Sequence, residues 1–79
     1  GGIYGEFKIK TENPSEKDVV ASLQKIKDVF EEDGYKNVNV YAIGKDKIRV
    51  ETGYSKSSRT YAETYNKIAS IAVGAITAT

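Results

Sequence analysis

Cysteine and histidine are both absent, which removes thiolate and imidazole nucleophiles, disulfides and the usual zinc ligands from consideration. Carboxylates, hydroxyls, phenols and cations remain. One group is the carboxylate run Glu31-Glu32-Asp33 before Gly34. Hard cations want six or more oxygens converging from a defined loop, and consecutive carboxylates diverge around a helix end, so solvated side chains are expected and no metal. A second group, "GYSKSSRT", sets Lys56 and Arg59 among hydroxyls where a helix begins, a place that favours anions. The glycine spacing of a phosphate loop is missing, so these residues read as capping groups. Serine hydroxyls here also lack their usual base. No catalytic residue and no cofactor is expected. The third group is Tyr4, Lys8, Tyr41, Lys47 and Arg49, whose alternate spacing places phenols and cations together on one side of strand-like segments.

Seventy-nine residues make one domain, 1–79, with 39% hydrophobic and 29% charged side chains, a globular balance. Twelve basic and eleven acidic residues give a net charge of +1, which provides no global pull toward nucleic acid or an anionic membrane. The most apolar run, "IASIAVGAITAT", is far shorter than the ~20 residues of a spanning helix.

The elements that must position the third group follow from periodicity. "GGIYGEFKIKT" alternates, with Ile3, Phe7 and Ile9 on one face and Tyr4, Glu6, Lys8 and Lys10 on the other, as in a half-buried strand. "NPSE" predicts a helix start with Asn13 as the cap, Pro14 at the first helical position and Glu16 closing the box. Val19, Val20, Leu23, Ile26, Val29 and Phe30 form its apolar stripe, and Gly34 is the left-handed stop. A hairpin follows, with Val38, Val40 and Ala42 facing one way, a turn at "GKD", and Ile48 and Val50 returning opposite Lys47, Arg49 and Glu51. Ser57, Ser58 or Thr60 caps a second helix striped by Tyr61, Tyr65, Ile68, Ala69 and Ala72. Gly74 ends it, and "AITAT" is a final strand.

The order strand, helix, strand, strand, helix, strand predicts an α+β, ferredoxin-like βαββαβ fold, a four-stranded antiparallel sheet with both helices on one face. The opposite face is then bare. Tyrosines among cations there suggest an RNA-stacking surface, but the third strand presents Lys47, Arg49 and Glu51 where such folds place aromatics, so no nucleic acid partner is expected. A regulatory small-molecule-binding domain is the alternative reading, with an RNA-binding module behind it.

Laid in order, "GGIYGEFKI", "VVASLQKIKDVFEEDG" and "VNVYAIGKDKIRVETG" resemble the extracytoplasmic domain of the SecD/SecF protein-export family. Gly34, Gly44, Ile48, Val50 and Gly53 fall in the order of that family's pattern, and both SecD-like and SecF-like domains use this strand order. The resemblance implies a soluble piece of a larger membrane protein, with Gly1-Gly2 joining it to a preceding transmembrane helix. It implies a non-catalytic domain at the extracytoplasmic face of the bacterial plasma membrane. Its partners would be exported, unfolded polypeptide, neighbouring domains of the parent chain and the Sec translocon. Contact would be made by the bare face carrying Tyr4, Lys8, Tyr41, Lys47 and Arg49, or by the free edge of the second strand.

Overall fold

The computed structural model of the protein describes the backbone of residues 4–53, 58–71 and 74–78 and the side chains of 5–53 and 60–68. It is an α+β domain in which three antiparallel strands, β1 (Tyr4–Ile9), β2 (Asn39–Ile43) and β3 (Lys47–Glu51), pack with two helices, α1 (Glu16–Glu32) and α2 (Ser58–Ile71). β3 lies between β1 and β2. Beyond α2 the chain returns as an extended segment, β4 (Gly74–Ala78), beside β1.

The alternation read from β1 and β3 holds. Phe7, Ile9, Ile48 and Val50 are buried, and Lys8 and Lys47 are exposed. Ile3 lies outside the described residues. Phe7 is met edge-on by Phe30 of α1 and by Tyr65 of α2, with ring centroids 6.4 and 4.7 Å away, so both helices press on the same side of the strands. Ile26, Tyr35, Val38 and Ile68 complete this core. Leu23 packs against it, partly buried.

The start of α1 corrects the predicted cap. Ser15, not Asn13, is the cap: its hydroxyl accepts from the Asp18 N–H at 3.1 Å, and the Asp18 carboxylate accepts from the Ser15 N–H at 3.3 Å. Ser15 and Asp18 satisfy two orphan donors reciprocally, which Asn13 and Glu16 do not. Asn13 instead takes a left-handed φ of 52°, tolerable for asparagine, and Pro14 precedes the cap. Val20 also departs from the expected stripe, at 57% exposure. A helix turns about 100° per residue, and the inward stripe is centred on Val19, Ile26 and Phe30, with buried Ser22 within it and Leu23 and Val29 toward its margins, so Val20 falls outside it.

The end of α1 follows expectation. Gly34 has φ 89°, the Gly34 N–H donates to Glu31 O, and the Tyr35 N–H reaches Phe30 O. That is a Schellman motif, and its accompanying apolar contact is Tyr35 against Phe30, with ring centroids 5.1 Å apart. The β2–β3 turn at Gly44-Lys45-Asp46 is also where "GKD" placed it, with Gly44 at φ 73°.

In α2 the predicted termini shift. Thr60 lies inside the helix, two residues beyond its first, so it is not the cap. Ser58 is already the first helical residue, and Ser57 lies outside the described residues. Gly74 does not end the helix, whose last residue is Ile71; it opens β4. Tyr61 is partly buried and Tyr65 and Ile68 are buried; the Ala69 and Ala72 side chains lie outside the described residues.

Candidate interaction surface

Register decides which of the predicted surface residues meet. On the side away from Phe7, cross-strand pairing sets Glu6 opposite Arg49 and Arg49 opposite Tyr41. The next row toward the Gly44 turn is Lys8, Lys47 and Ile43, and the row on the other side is Tyr4, Glu51 and Asn39. These rows of opposed residues are the neighbours whose side chains interact across strands.

The middle row is paired across the strands. Arg49 Nη2 donates to Glu6 Oε2 at 3.0 Å, with the two side chains 29% and 18% exposed. The Arg49 guanidinium also lies 6.0 Å from the centroid of the Tyr41 ring, and the Tyr41 hydroxyl donates to Glu51 Oε1 at 2.5 Å. Tyr41 is nevertheless exposed. Arg49 and Tyr41 are thus brought together, as the shared face required, but their polar ends are already engaged.

The row at the turn differs. Lys8 and Lys47 oppose each other directly, both exposed, and neither makes a side-chain hydrogen bond or ion pair among the described residues. Like charges placed opposite each other are unfavourable. The Ile9 N–H to Asp46 O bond, 2.7 Å, carries the β1–β3 pairing on toward the turn, so Lys45 and Lys10 lie at this same end. The Tyr4 side chain lies outside the described residues, as do Lys56 and the Arg59 side chain of "GYSKSSRT".

The acidic run at the end of α1 divides. Glu31 and Glu32 are exposed, as read from the sequence, but Asp33 is partly buried and held by α2. Thr64 Oγ1 donates to Asp33 Oδ2 at 2.6 Å and Lys67 Nζ to Asp33 Oδ1 at 2.5 Å. The carboxylate holds the Lys67 ammonium above its ordinary pKa. Among the described residues no group of three or more histidine, cysteine or acidic side chains is arranged to hold a metal ion.

Two phenols were read as apolar stripe alone. The Tyr61 hydroxyl donates to the Tyr65 hydroxyl at 2.5 Å, and burial pushes both phenols up from their ordinary pKa. Together they sit over Gly5. A Cβ there would lie 1.6 Å from Tyr65 Oη and 2.6 Å from Tyr61 Oη, so the strand carries glycine because a ring is laid on its backbone. Glycine inside a strand pattern was the available signal for this close approach.

A cleft of about 180 Å³ lies where β1 ends against α1, lined by Ile9, Thr11, Asp18, Ser22 and Lys25. Among the described residues no helix is long and apolar enough to cross a membrane. No protein-family model, curated protein or solved structure matches the chain.

Proposed function

We propose that the chain is a non-catalytic interaction domain that contacts polypeptide with the uncovered side of its sheet. The observation that carries this reading is the asymmetry of the strands. Both helices meet on the Phe7 side, while the other side sets Lys8 opposite Lys47, with no ion pair to either among the described residues, next to the exposed Tyr41 ring. Long lysine stems and an amphipathic aromatic suit loose, sequence-tolerant contact.

The complete fold in this reading is ferredoxin-like. Its support is the antiparallel register of β4 on β1, from Gly5 opposite Ala78 to Ile9 opposite Gly74, which extends the sheet order to β2-β3-β1-β4. The family proposed is SecD/SecF, with the parent protein at the extracytoplasmic face of the bacterial plasma membrane and unfolded export clients, sibling domains or the Sec translocon as partners. What supports it is the sequence pattern together with the left-handed φ of Gly34 and Gly44 and the buried Ile48 and Val50 at the matching places.

Titrating the isotope-labelled domain with an unfolded polypeptide and, separately, with single-stranded RNA tests the contact surface. Amide shifts on β1 and β3 with polypeptide alone are expected. Shifts with RNA that fade steeply with added salt would instead favour a nucleic acid partner, and shifts with neither would remove the proposal. Family membership is tested by the gene: an apolar segment of about 20 residues encoded directly before Gly1 is expected.

A further inference from the structure

We infer that the outer edge of β2 receives an extended polypeptide as an added strand, and that this segment carries carboxylates where it passes the lysines of the Gly44 turn. The inference rests on the interaction-domain reading and specifies how contact is made.

β2 lies at the outside of the sheet, with β3 on one side. In an antiparallel strand, alternate residues turn both N–H and C=O away from the partner. On β2 those outward groups meet no other described part of the protein: no described backbone or side chain beyond β3 bonds to the backbone of residues 39–43. α1 packs against β2, but from the side of Val38 and Val40, which belong to the core and its margin.

Edge strands of this kind are ordinarily blunted by lysine, proline, a bulge or a covering loop. "NVYAI" contains no charge and no proline, and its pairing with β3 runs unbroken from Asn39–Glu51 to Ile43–Lys47, without a bulge. The strand is five residues long and holds β-branched and aromatic side chains, so it offers a regular template to an incoming backbone.

Charge identifies the occupant. Ile43, the last residue of β2, lies opposite Lys47, which faces Lys8 across β3 and β1. Lys45 stands in the turn itself, exposed, with its Nζ donating to Asn13 Oδ1 at 3.4 Å and the partly buried Asp46 beside it, and Lys36 is exposed at the opposite end of the edge. An added strand therefore begins and ends beside ammonium groups, and carboxylates near the turn face the net positive charge of Lys45, Asp46 and Lys47. A second copy of the chain fits less well. Antiparallel self-pairing about Tyr41 sets Lys36 of one copy opposite Asp46 of the other, but it brings no acid to Lys45 or Lys47.

The test uses three short peptides with a common Val/Thr core: one with two glutamates at one end, one with lysines in their place, and one acidic but N-methylated at alternate amides. The acidic peptide is expected to shift the amides of 39–43 and slow the exchange of every second one. The lysine and N-methylated peptides should bind roughly tenfold more weakly or worse. The K45E/K47E variant, altered only at exposed side chains, should reverse the charge preference. Equal binding by the N-methylated peptide overturns strand addition. Concentration-dependent shifts at 39–43 without peptide assign the edge to a second copy, and equal shifts there from RNA or anionic vesicles reduce it to a general anion patch. An unfolded polypeptide that shifts Lys8 and Arg49 but leaves 39–43 unmoved keeps the interaction-domain reading and overturns this inference alone. No response to any polypeptide removes both.

Discussion

The two sides of β1 and β3 are built from neighbouring residues of the same strands, yet they solve different problems. On one side Phe7, Ile48 and Val50 are shut under Phe30 and Tyr65, and the contacts are edge-on rings and aliphatic surface. On the other, Glu6 pairs with Arg49 and Tyr41 with Glu51, while one row further on Lys8 and Lys47 oppose each other with no ion pair among the described residues. Burial is roughly additive in apolar area, so the covered side needs shape and little else. The open side depends on which charge meets which, and there a two-residue step along the strand changes a neutralised row into a cationic one.

Truncating the covered side should have the largest effect. Phe30→Ala removes a fully buried ring that contacts Phe7, Tyr35 and Tyr65, and a loss of about 3–5 kcal/mol in urea unfolding is expected. A loss similar to that of an exposed-side truncation would erase the distinction between the two sides.

Next in size is Gly5→Ala, also on the covered side. The new methyl group collides with a ring that packs too tightly to yield, and about 1–3 kcal/mol should be lost. Combining it with Tyr65→Phe, which deletes the nearest atom, should return part of that loss. Simple additivity of the two changes would mean that the ring does not hold the strand to glycine.

The same phenols make the covered side sensitive to alkali. The folded state keeps a Tyr65 proton that the unfolded chain releases above pH 10.0, so stability is full below that value and falls as pH rises past it. The slope is up to about 1.4 kcal/mol per pH unit for each such tyrosine. Lys67 adds to the loss in the same direction, because its raised pKa contributes stability that disappears as pH climbs through it. Urea midpoints measured between neutral and strongly alkaline pH should therefore decline, and less steeply in Tyr65→Phe.

The open side should give the smallest numbers. A double-mutant cycle of Glu6→Gln with Arg49→Ala is expected to show a coupling of about 0.2–1 kcal/mol, reduced by salt, because both side chains retain solvent access. Lys8→Glu replaces a like-charge opposition with an attractive one and should stabilise by a few tenths of a kcal/mol. A coupling above 3 kcal/mol between Glu6 and Arg49 would place that pair with the interior and not with the surface.

Much of the covered side was legible from period alone. Alternation along β1 and β3 fixes which residues turn inward, and Gly34 before an aromatic residue marks the Schellman stop whose 6→1 and 5→2 bonds are both made. The start of α1 was misread because two overlapping caps compete in "NPSE", and Ser15 wins through its reciprocal bond with Asp18, a residue not weighed as a partner. Tyr35 and Thr64 were missed as interior residues, since a single residue after a helix stop and a hydroxyl between two tyrosines carry no periodic signature. Of the candidate surface, sequence placed Lys8, Tyr41, Lys47 and Arg49 on strands and a side. It could not say that Arg49 and Tyr41 are engaged and that Lys8 and Lys47 make no side-chain bond among the described residues, because period two gives the face while register gives the neighbour.

Asp33 ends α1 with its backbone and grips Thr64 and Lys67 of α2 with its side chain, joining positions 31 and 34 residues apart. A cut at the exposed Gly44 turn leaves the acid in one fragment and both donors in the other, with β2 and β3 likewise separated. Each fragment then holds one half of the sheet seam and one half of this clasp. The Gly44 turn is therefore the place where a cut splits both the Asp33 clasp and the β2–β3 seam between two pieces.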